Sequence, residues 1–473
     1  MKKLISALLL SSICCTIIAQ PRLPYFISSG MVLQQQTNAN IWGWDKPGTI
    51  IKLTGSWNKQ TVTTKTNADG KWITQLVTPA AGGPYELTIS DGKAVTLTNI
   101  LIGEVWICTG QSNMEMPMKG FKNQPIIGSN QAILSSKNKN IRLFTVPRSS
   151  KTEALDTCKQ SSWLEASPES VSNFSATAYF FGRQLNNMLD VPIGLLHDSY
   201  GGSSAEAWMS ADALKSFPEI KVPAKTDSIK NQSRTPTTLY NGMLHPVVGF
   251  TIKGCIWYQG ESNREAPDLY EKLFPAMVKQ WRTEWNQGDF PFYYAQIAPY
   301  DYQQLPATGF NAKANSAYLR DVQRKSLRTI PNSAMAVLMD IGEQKSIHPM
   351  HKQEGGERLA LLALANTYGL KGFGFASPLY DSMNVSGSLA NIYFSNARNG
   401  LTSFGKPLSL FEVAGADKVF YPAQALITNN GVTVSAPQVK QPVAVRYAFK
   451  DFITGDLFSN EGLPVSSFRT DDW

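Results

Sequence analysis

Between residues 102 and 370, short apolar runs alternate with longer segments of helical character, and this alternation restricts the fold more than any other feature of the chain. The runs Val105–Thr109, Ile193–Asp198, Gly254–Tyr258, Phe292–Ile297 and Ala334–Met339 are of strand length and read as strands buried on both faces. Between them lie Thr177–Leu189, Leu269–Trp285, Ala317–Arg328 and Lys352–Tyr368. In the last of these, Leu359, Leu362 and Ala363 keep helical spacing on one face. Strand and helix in alternation predict an α/β fold, a parallel sheet covered on both sides.

The flanks differ. From Leu23 to about Leu101, runs such as Ile50–Leu53, Thr61–Thr64 and Trp72–Leu76 alternate apolar and polar residues. Turn signals at Lys46-Pro47-Gly48, Ala68-Asp69-Gly70, Gly82-Gly83-Pro84 and Asp91-Gly92 separate them, which predicts a small β-sandwich. After about Phe373 the pattern turns β again, with Asn391–Phe394, Leu408–Val413, Val432–Ser435 and Val443–Phe449, and a hairpin turn at Asn429-Asn430-Gly431. Lys221–Ser233 is polar and reads as a surface excursion.

A chain of 473 residues with 42% apolar and 17% charged residues is a folded protein of several domains. Its net charge of +8 is scattered, with no basic run interleaved with aromatics, so nucleic acid is not an expected partner. Lys2 and Lys3, then the apolar Leu4–Ile18 and the small Ala19, read as an export signal over residues 1–20. A run of about 15 residues is short for a membrane span. A lipid anchor at Cys14 or Cys15 is the lesser reading, because Ile13 stands where a small residue is wanted. The expected location is therefore periplasmic or secreted. Removal of the signal leaves Cys108, Cys158 and Cys255, an odd number without metal-type spacing, read as structural.

Ligands of open parallel sheets bind beyond the carboxyl ends of the strands, and here those ends carry unusual residues. The first run enters Gly110-Gln111-Ser112-Asn113-Met114, where a serine in a turn can present its hydroxyl and the following amides can face an oxyanion. A helix cap is the competing role for Ser112. The second ends in Asp198-Ser199-Tyr200-Gly201-Gly202-Ser203, whose glycines suit either an oxyanion donor or a plain loop. The third ends in Trp257-Tyr258-Gln259-Gly260-Glu261-Ser262-Asn263. Gln259 can donate to an oxyanion, with Asn263 as the alternative. Glu261 reads as one half of a buried ion pair, for instance with an arginine, or as a substrate contact.

A serine nucleophile needs a base, and the chain has four histidines. His348, in Ser346-Ile347-His348-Pro349 after the last strand, lies at the same sheet edge as Ser112. His351 reads as a helix-start surface residue and His197 as a core residue. His245 is a candidate to line the pocket, and Gln111 and Asn113 are candidates to touch substrate.

These residues resemble a known family. Gly103-Glu104-Val105-Trp106 leading into Gly110–Pro117 resembles the nucleophile block of the sialate O-acetylesterases, members of the SGNH hydrolase superfamily. Trp257–Asn263 is similar to that family's Trp-Tyr-Gln-Gly-Glu-Ser block, and Ile347-His348-Pro349 with Lys352, Gly356, Arg358 and Leu359 to its histidine block. Met31-Val32-Leu33-Gln34, Ile41-Trp42-Gly43 and Asp69-Gly70-Lys71-Trp72 resemble its leading β domain, and Phe468-Arg469-Thr470-Asp471 its ending.

The resemblance implies an SGNH-type three-layer sandwich at 102–372, between a β-sandwich at 21–101 and a β-rich region at 373–473. It implies Ser112 as nucleophile, His348 as base, and oxyanion donors from Ser112, from Gly202 or Gly201, and from Gln259 or Asn263. In one respect the chain departs from the pattern. Related hydrolases place an acid two or three residues before the histidine, where Ser346 and Lys345 stand here. Glu343, Asp340 or a backbone carbonyl is then expected to orient the ring. The activity implied is removal of acetyl groups from an acetylated sugar or glycan. O-acetylated sialic acid is the first candidate and acetyl-xylan or another polysaccharide the second. A carbohydrate-binding protein without catalysis is the reading from another class. No His and carboxylate cluster has ligand spacing, so neither a metal nor another cofactor is expected.

Overall fold

The computed structural model describes residues 20–305, 314–429 and 431–473. Residues 1–19 of the expected export signal, with Cys14 and Cys15, lie outside the described residues, as does Asn430 of the expected hairpin turn. The strands on either side of that turn, Gln424–Thr428 and Gly431–Ser435, pair antiparallel.

The centre is a parallel sheet. Its strands are β1 (Ala94–Gly110), β2 (Asn138–Thr145), β3 (Ile193–Ser199), β4 (Gly254–Tyr258), β5 (Phe292–Ala295) and β6 (Ser333–Ala336). They lie in the order β6-β5-β4-β1-β3-β2, with Leu164–Ala166 antiparallel on the β2 edge. The helices that matter for the site are α1 (Ser112–Glu115), α2 (Ala176–Leu189), α3 (Pro267–Trp285), α4 (Ala317–Ser326) and α5 (Lys352–Asn366).

Side chains alternate across a strand, so consecutive residues of β1 enter different cores. Trp106 and Cys108 pack with Phe180, Phe181 and Leu185 of α2 and Leu359 and Leu362 of α5. Val105 and Ile107 pack with Phe274, Met277 and Trp281 of α3 and Leu319 of α4. Both faces of the sheet are thus covered, which explains why these strands read as unbroken apolar runs. Gly356 lets α5 approach α2 closely, since a Cβ there would sit 2.6 Å from the Thr177 carbonyl oxygen. Among the described residues no helix is long and apolar enough to cross a membrane.

After β1 the chain builds β2 and β3 on one side, then crosses to build β4, β5 and β6 on the other. The carboxyl end of β1 is therefore the topological switch point, where an open α/β sheet leaves a crevice. Gly110 and Ser112 sit there.

The expected border at 101/102 falls inside β1. This strand first pairs antiparallel with Gly82–Ser90 and parallel with Val32–Gln34, then continues as the middle of the central sheet. The N-terminal strands lie in two sheets, Asn38–Trp44 pairing with Lys71–Val77 in the smaller. The C-terminal residues form two four-stranded antiparallel sheets and docking contacts to α4 and to the end of β5. There Arg320, fully buried, donates to Ser467 Oγ (3.1 Å), while Gln296 donates to Ser466 Oγ (2.8 Å). Cys108, Cys158 and Cys255 are free and buried, and burial pushes all three thiols up, away from the reactive thiolate.

Candidate active site

The Ser112 turn is built by close backbone approach. Gly110 has φ +141°, and a Cβ there would lie 2.2 Å from the Tyr258 carbonyl oxygen, so only glycine lets β1 bend away beside β4. Gln111 precedes α1 and Ser112 opens it, half-exposed, with its side chain in no hydrogen bond among the described residues. The start of α2 braces this turn: Ser175 Oγ donates to the Met114 carbonyl (2.5 Å) and Thr177 Oγ1 to that of Asn113 (3.0 Å).

The loop bearing His348 lies against the same turn. Asn113 Nδ2 donates to the Ile347 carbonyl at 3.1 Å, joining the residue after the serine to the residue before the histidine. The Ser112 and His348 segments are thus adjacent at the carboxyl end of the sheet.

The group on the far side of the imidazole is not the expected one. His348 Nδ1 lies 2.5 Å from Gln124 Oε1, and the Phe121 ring packs edge-on at 5.2 Å between centroids. An acceptor oxygen there keeps the proton on Nδ1 and leaves the Nε2 lone pair free. Glu343 instead accepts from the Met350 amide at 2.6 Å, closing its own loop. Asp340 is held by the Arg358 guanidinium through two bonds of 2.7 and 2.6 Å. Neither carboxylate orients His348, which corrects the expectation for Glu343 and Asp340. Nothing in the spacing pointed to Gln124, which lies 224 residues away in the chain.

Burial, then the nearby Lys352 ammonium, pulls the His348 pKa down to about 4. The imidazole is therefore neutral, and able to accept a proton, over the whole neutral range. For a base of this kind activity is present above its pKa and lost as pH falls through it, so kcat/KM is expected to persist below pH 6.5 and fall through about pH 4. Gln124→Glu would set a carboxylate on Nδ1, raise the histidine's pKa and move that acid limb upward. A pH–rate profile on the two proteins checks both; a wild-type limb at 6.5 contradicts the assignment.

Candidate oxyanion donors sort cleanly. The Gly201 amide is engaged by Glu115 Oε2 (2.8 Å), whereas the Gly202 amide makes no hydrogen bond among the described residues. Gly201 runs beside the serine: a Cβ on it would lie 3.6 Å from Ser112 Cβ.

Gln259 is fully buried. Its Nε2 donates to the Ser203 carbonyl (3.0 Å) and to Asn263 Oδ1 (2.7 Å), and its Oε1 accepts from Tyr270 (3.1 Å). Both amide hydrogens are engaged, so Gln259 is not a free donor, and that expectation is corrected. What Gln259 does is orient Asn263. Asn263 Oδ1 accepts from Gln259 and from the Ala205 amide (2.9 Å), which forces Nδ2 to the other side. There one hydrogen meets Glu206 Oε2 (2.9 Å), and the second has no acceptor among the described residues.

The expected substrate contacts are also redistributed. Gln111 Oε1 accepts from the amides of Gly260 and Ser262, both at 3.3 Å, and ties the β1 and β4 loops together. Asn113 and Glu261 are buried and bonded to each other at 2.6 Å; Glu261 faces Lys352, not an arginine. His245 Nδ1 donates to the Leu155 carbonyl (2.9 Å) and the ring packs on Tyr240, with no hydrogen bond to the Ser112 turn among the described residues. Gln111, Asn113 and Glu261 are thus buried and engaged with neighbouring loops. His351 pairs with Glu354 (2.7 Å), and the buried His197 meets Ser199 Oγ within its own strand. One group escaped the sequence reading: Glu115 is clasped by both arms of Arg148, which stacks on Tyr200 at 4.6 Å and borders the groove.

Fold and site together are those of an α/β ester hydrolase. Comparison with known proteins is specific: the carbohydrate esterase family of sialic acid-specific acetylesterases matches residues 102–364, and the chain belongs to that family. Sialate O-acetylesterase of Pongo abelii is 31% identical over 401 residues, 77% of this chain and 74% of that protein. The Homo sapiens sialate O-acetylesterase is 31% identical over 399 residues, with the same coverage. Among solved structures, a carbohydrate acetylesterase from Xanthomonas citri superposes with a TM-score of 0.86 at 34% identity, covering 96% of this chain and all of that one.

Proposed function

We propose that this protein is a carbohydrate O-acetylesterase of SGNH type, acting first on O-acetylated sialic acid through a Ser112–His348 acyl-enzyme. The observation that carries the mechanism is the Asn113–Ile347 hydrogen bond, which holds the serine turn against the histidine loop. His348 Nε2 takes the Ser112 proton as Oγ attacks the acetyl carbonyl. The developing oxyanion is met by the Ser112 and Gly202 amides and by Asn263 Nδ2. His348 then returns the proton to the leaving sugar hydroxyl. Water, deprotonated by the same ring, releases acetate and restores the serine.

Gln124 fills the place of the usual carboxylate. It fixes the tautomer and the ring's direction, but as a neutral group it adds little stabilisation to the imidazolium. Burial keeps His348 weakly basic, and the site thereby resembles a dyad with a neutral steering group.

Acetate release measured side by side on O-acetylated sialic acid and acetyl-xylan tests the reading. Higher kcat/KM on the sialic acid ester is expected; higher kcat/KM on the xylan ester moves the substrate to plant-type glycans, and no acetate from either ends the esterase proposal.

A further inference from the structure

The groove rests on a buried charged cluster whose presence stability does not explain. Lys352 begins α5 and is 2% exposed. Its Nζ donates to Asn113 Oδ1 at 2.5 Å. Asn113 Nδ2 donates to Glu261 Oε1 (2.6 Å) and to the Ile347 carbonyl (3.1 Å), and its own carbonyl accepts from Thr177. One asparagine, next to the serine, thus joins five elements: α1, α5, the loop after β4, the histidine loop and α2.

The other groups facing Lys352 are few. Glu261 comes from the loop after β4 and Glu343 from the loop after β6. The Tyr258 ring, at the end of β4, lies 5.6 Å away. His348 is on the loop that leads into α5, and the His351–Glu354 pair occupies the outer side of the same helix start.

Taking an ammonium and a carboxylate out of water costs about as much as their attraction returns, and apolar replacements of the same volume are commonly as stable. Glu261 Oε2 has no hydrogen-bond partner among the described residues, so the pairing is incomplete as a stability device. An asparagine bridging two buried charges does something apolar packing cannot. It gives the peptide next to Ser112 a single permitted direction relative to Ile347.

We propose that Lys352, Asn113 and Glu261 are positioning residues for ester cleavage: the Lys352 ammonium and the Glu261 carboxylate hold the Asn113 amide between them, and that amide sets the separation of Ser112 and His348. The inference rests on the Ser112–His348 reading. It also has an electrostatic side. Burial lowers the Lys352 pKa to about 7, so at the acid limb Lys352 is the cation beside His348, whereas burial raises the Glu261 carboxyl above its ordinary value and leaves it largely protonated there. Removing the cation makes imidazole protonation easier; Glu261→Gln leaves the charge at that pH nearly unchanged.

The test uses the full chain and 4-nitrophenyl acetate, with active sites counted by the acyl-enzyme burst and turnover expressed per counted site. Lys352→Met is expected to lower kcat about 100-fold, the cost of about 1 Å of misplacement, with KM changed less than about 2-fold. Its acid limb should move up from about pH 4. Glu261→Gln keeps an oxygen for Asn113, so its kcat should fall less, about 10-fold, and its acid limb should stay in place. Turnover per site lost in both variants, with the limb moving only in Lys352→Met, is a signature that a purely structural cluster would not produce. Unchanged turnover per site and an unmoved limb in both variants, with only melting temperature lowered, overturn the proposal. If Lys352→Met does not fold, turnover per counted site in Glu261→Gln alone decides it. Failure of the underlying reading is separate and visible: a Ser112→Ala protein that still turns over the ester.

Discussion

Ser112→Ala is expected to lower kcat for acetate release by about 10⁴-fold or more, and His348→Ala to do nearly the same. The reason is that serine and imidazole act as one unit: without the base the hydroxyl is a poor nucleophile, and without the hydroxyl the base has nothing to activate. The double variant should therefore be no worse than either single one. What remains, about 10³–10⁴-fold over water, comes from the oxyanion donors and from substrate binding. The Ser112 side chain makes no hydrogen bond among the described residues and is half-exposed, so its removal should leave the fold and melting temperature intact. Turnover of the alanine variant within 10-fold of wild type, with about the same melting temperature, refutes the nucleophile assignment.

The second large effect is expected at Asn263. Losing one oxyanion donor costs about 10²–10³-fold in kcat, with KM little changed, because the donor engages charge that exists only in the transition state. Asn263→Ala should show that split. Gln259 gives the contrasting case. Its amide touches Ser203, Asn263 and Tyr270, so Gln259→Ala removes the group that turns Asn263 toward the groove and leaves buried partners unsatisfied. That variant should lose thermal stability as well as turnover. A KM rise with unchanged kcat in Asn263→Ala would place the residue in ground-state binding instead.

How far the sequence carried the reading varies from element to element. β4 was expected as Gly254–Tyr258 and is found there; the helices beginning at residues 176, 267, 317 and 352 start within two residues of expectation. β2 was missed. It carries Lys139 and Arg142, which break the apolar run. Arg142 is nonetheless buried, because its guanidinium meets the Lys139 carbonyl (2.8 Å), Asn99 Oδ1 (2.9 Å) and the Gly30 carbonyl (3.2 Å). No window of sequence around β2 contains Asn99 or Gly30.

The same limit governs the site. That a serine and a histidine stand beyond the ends of parallel strands follows from local pattern: apolar runs stop, glycines begin, and polar residues of useful chemistry come next. Such features depend on neighbours a few positions away, and a linear chain displays them. Which amide donates to the oxyanion, and which oxygen steers His348, depend on where each hydrogen of Gln259, Asn263, Asn113 and Gln124 finds an acceptor. Those acceptors lie up to 234 residues distant. Hydrogen bonding is directional and short-ranged, so an amide's role is settled by the partner it meets when the loops close, and that meeting exists only in three dimensions.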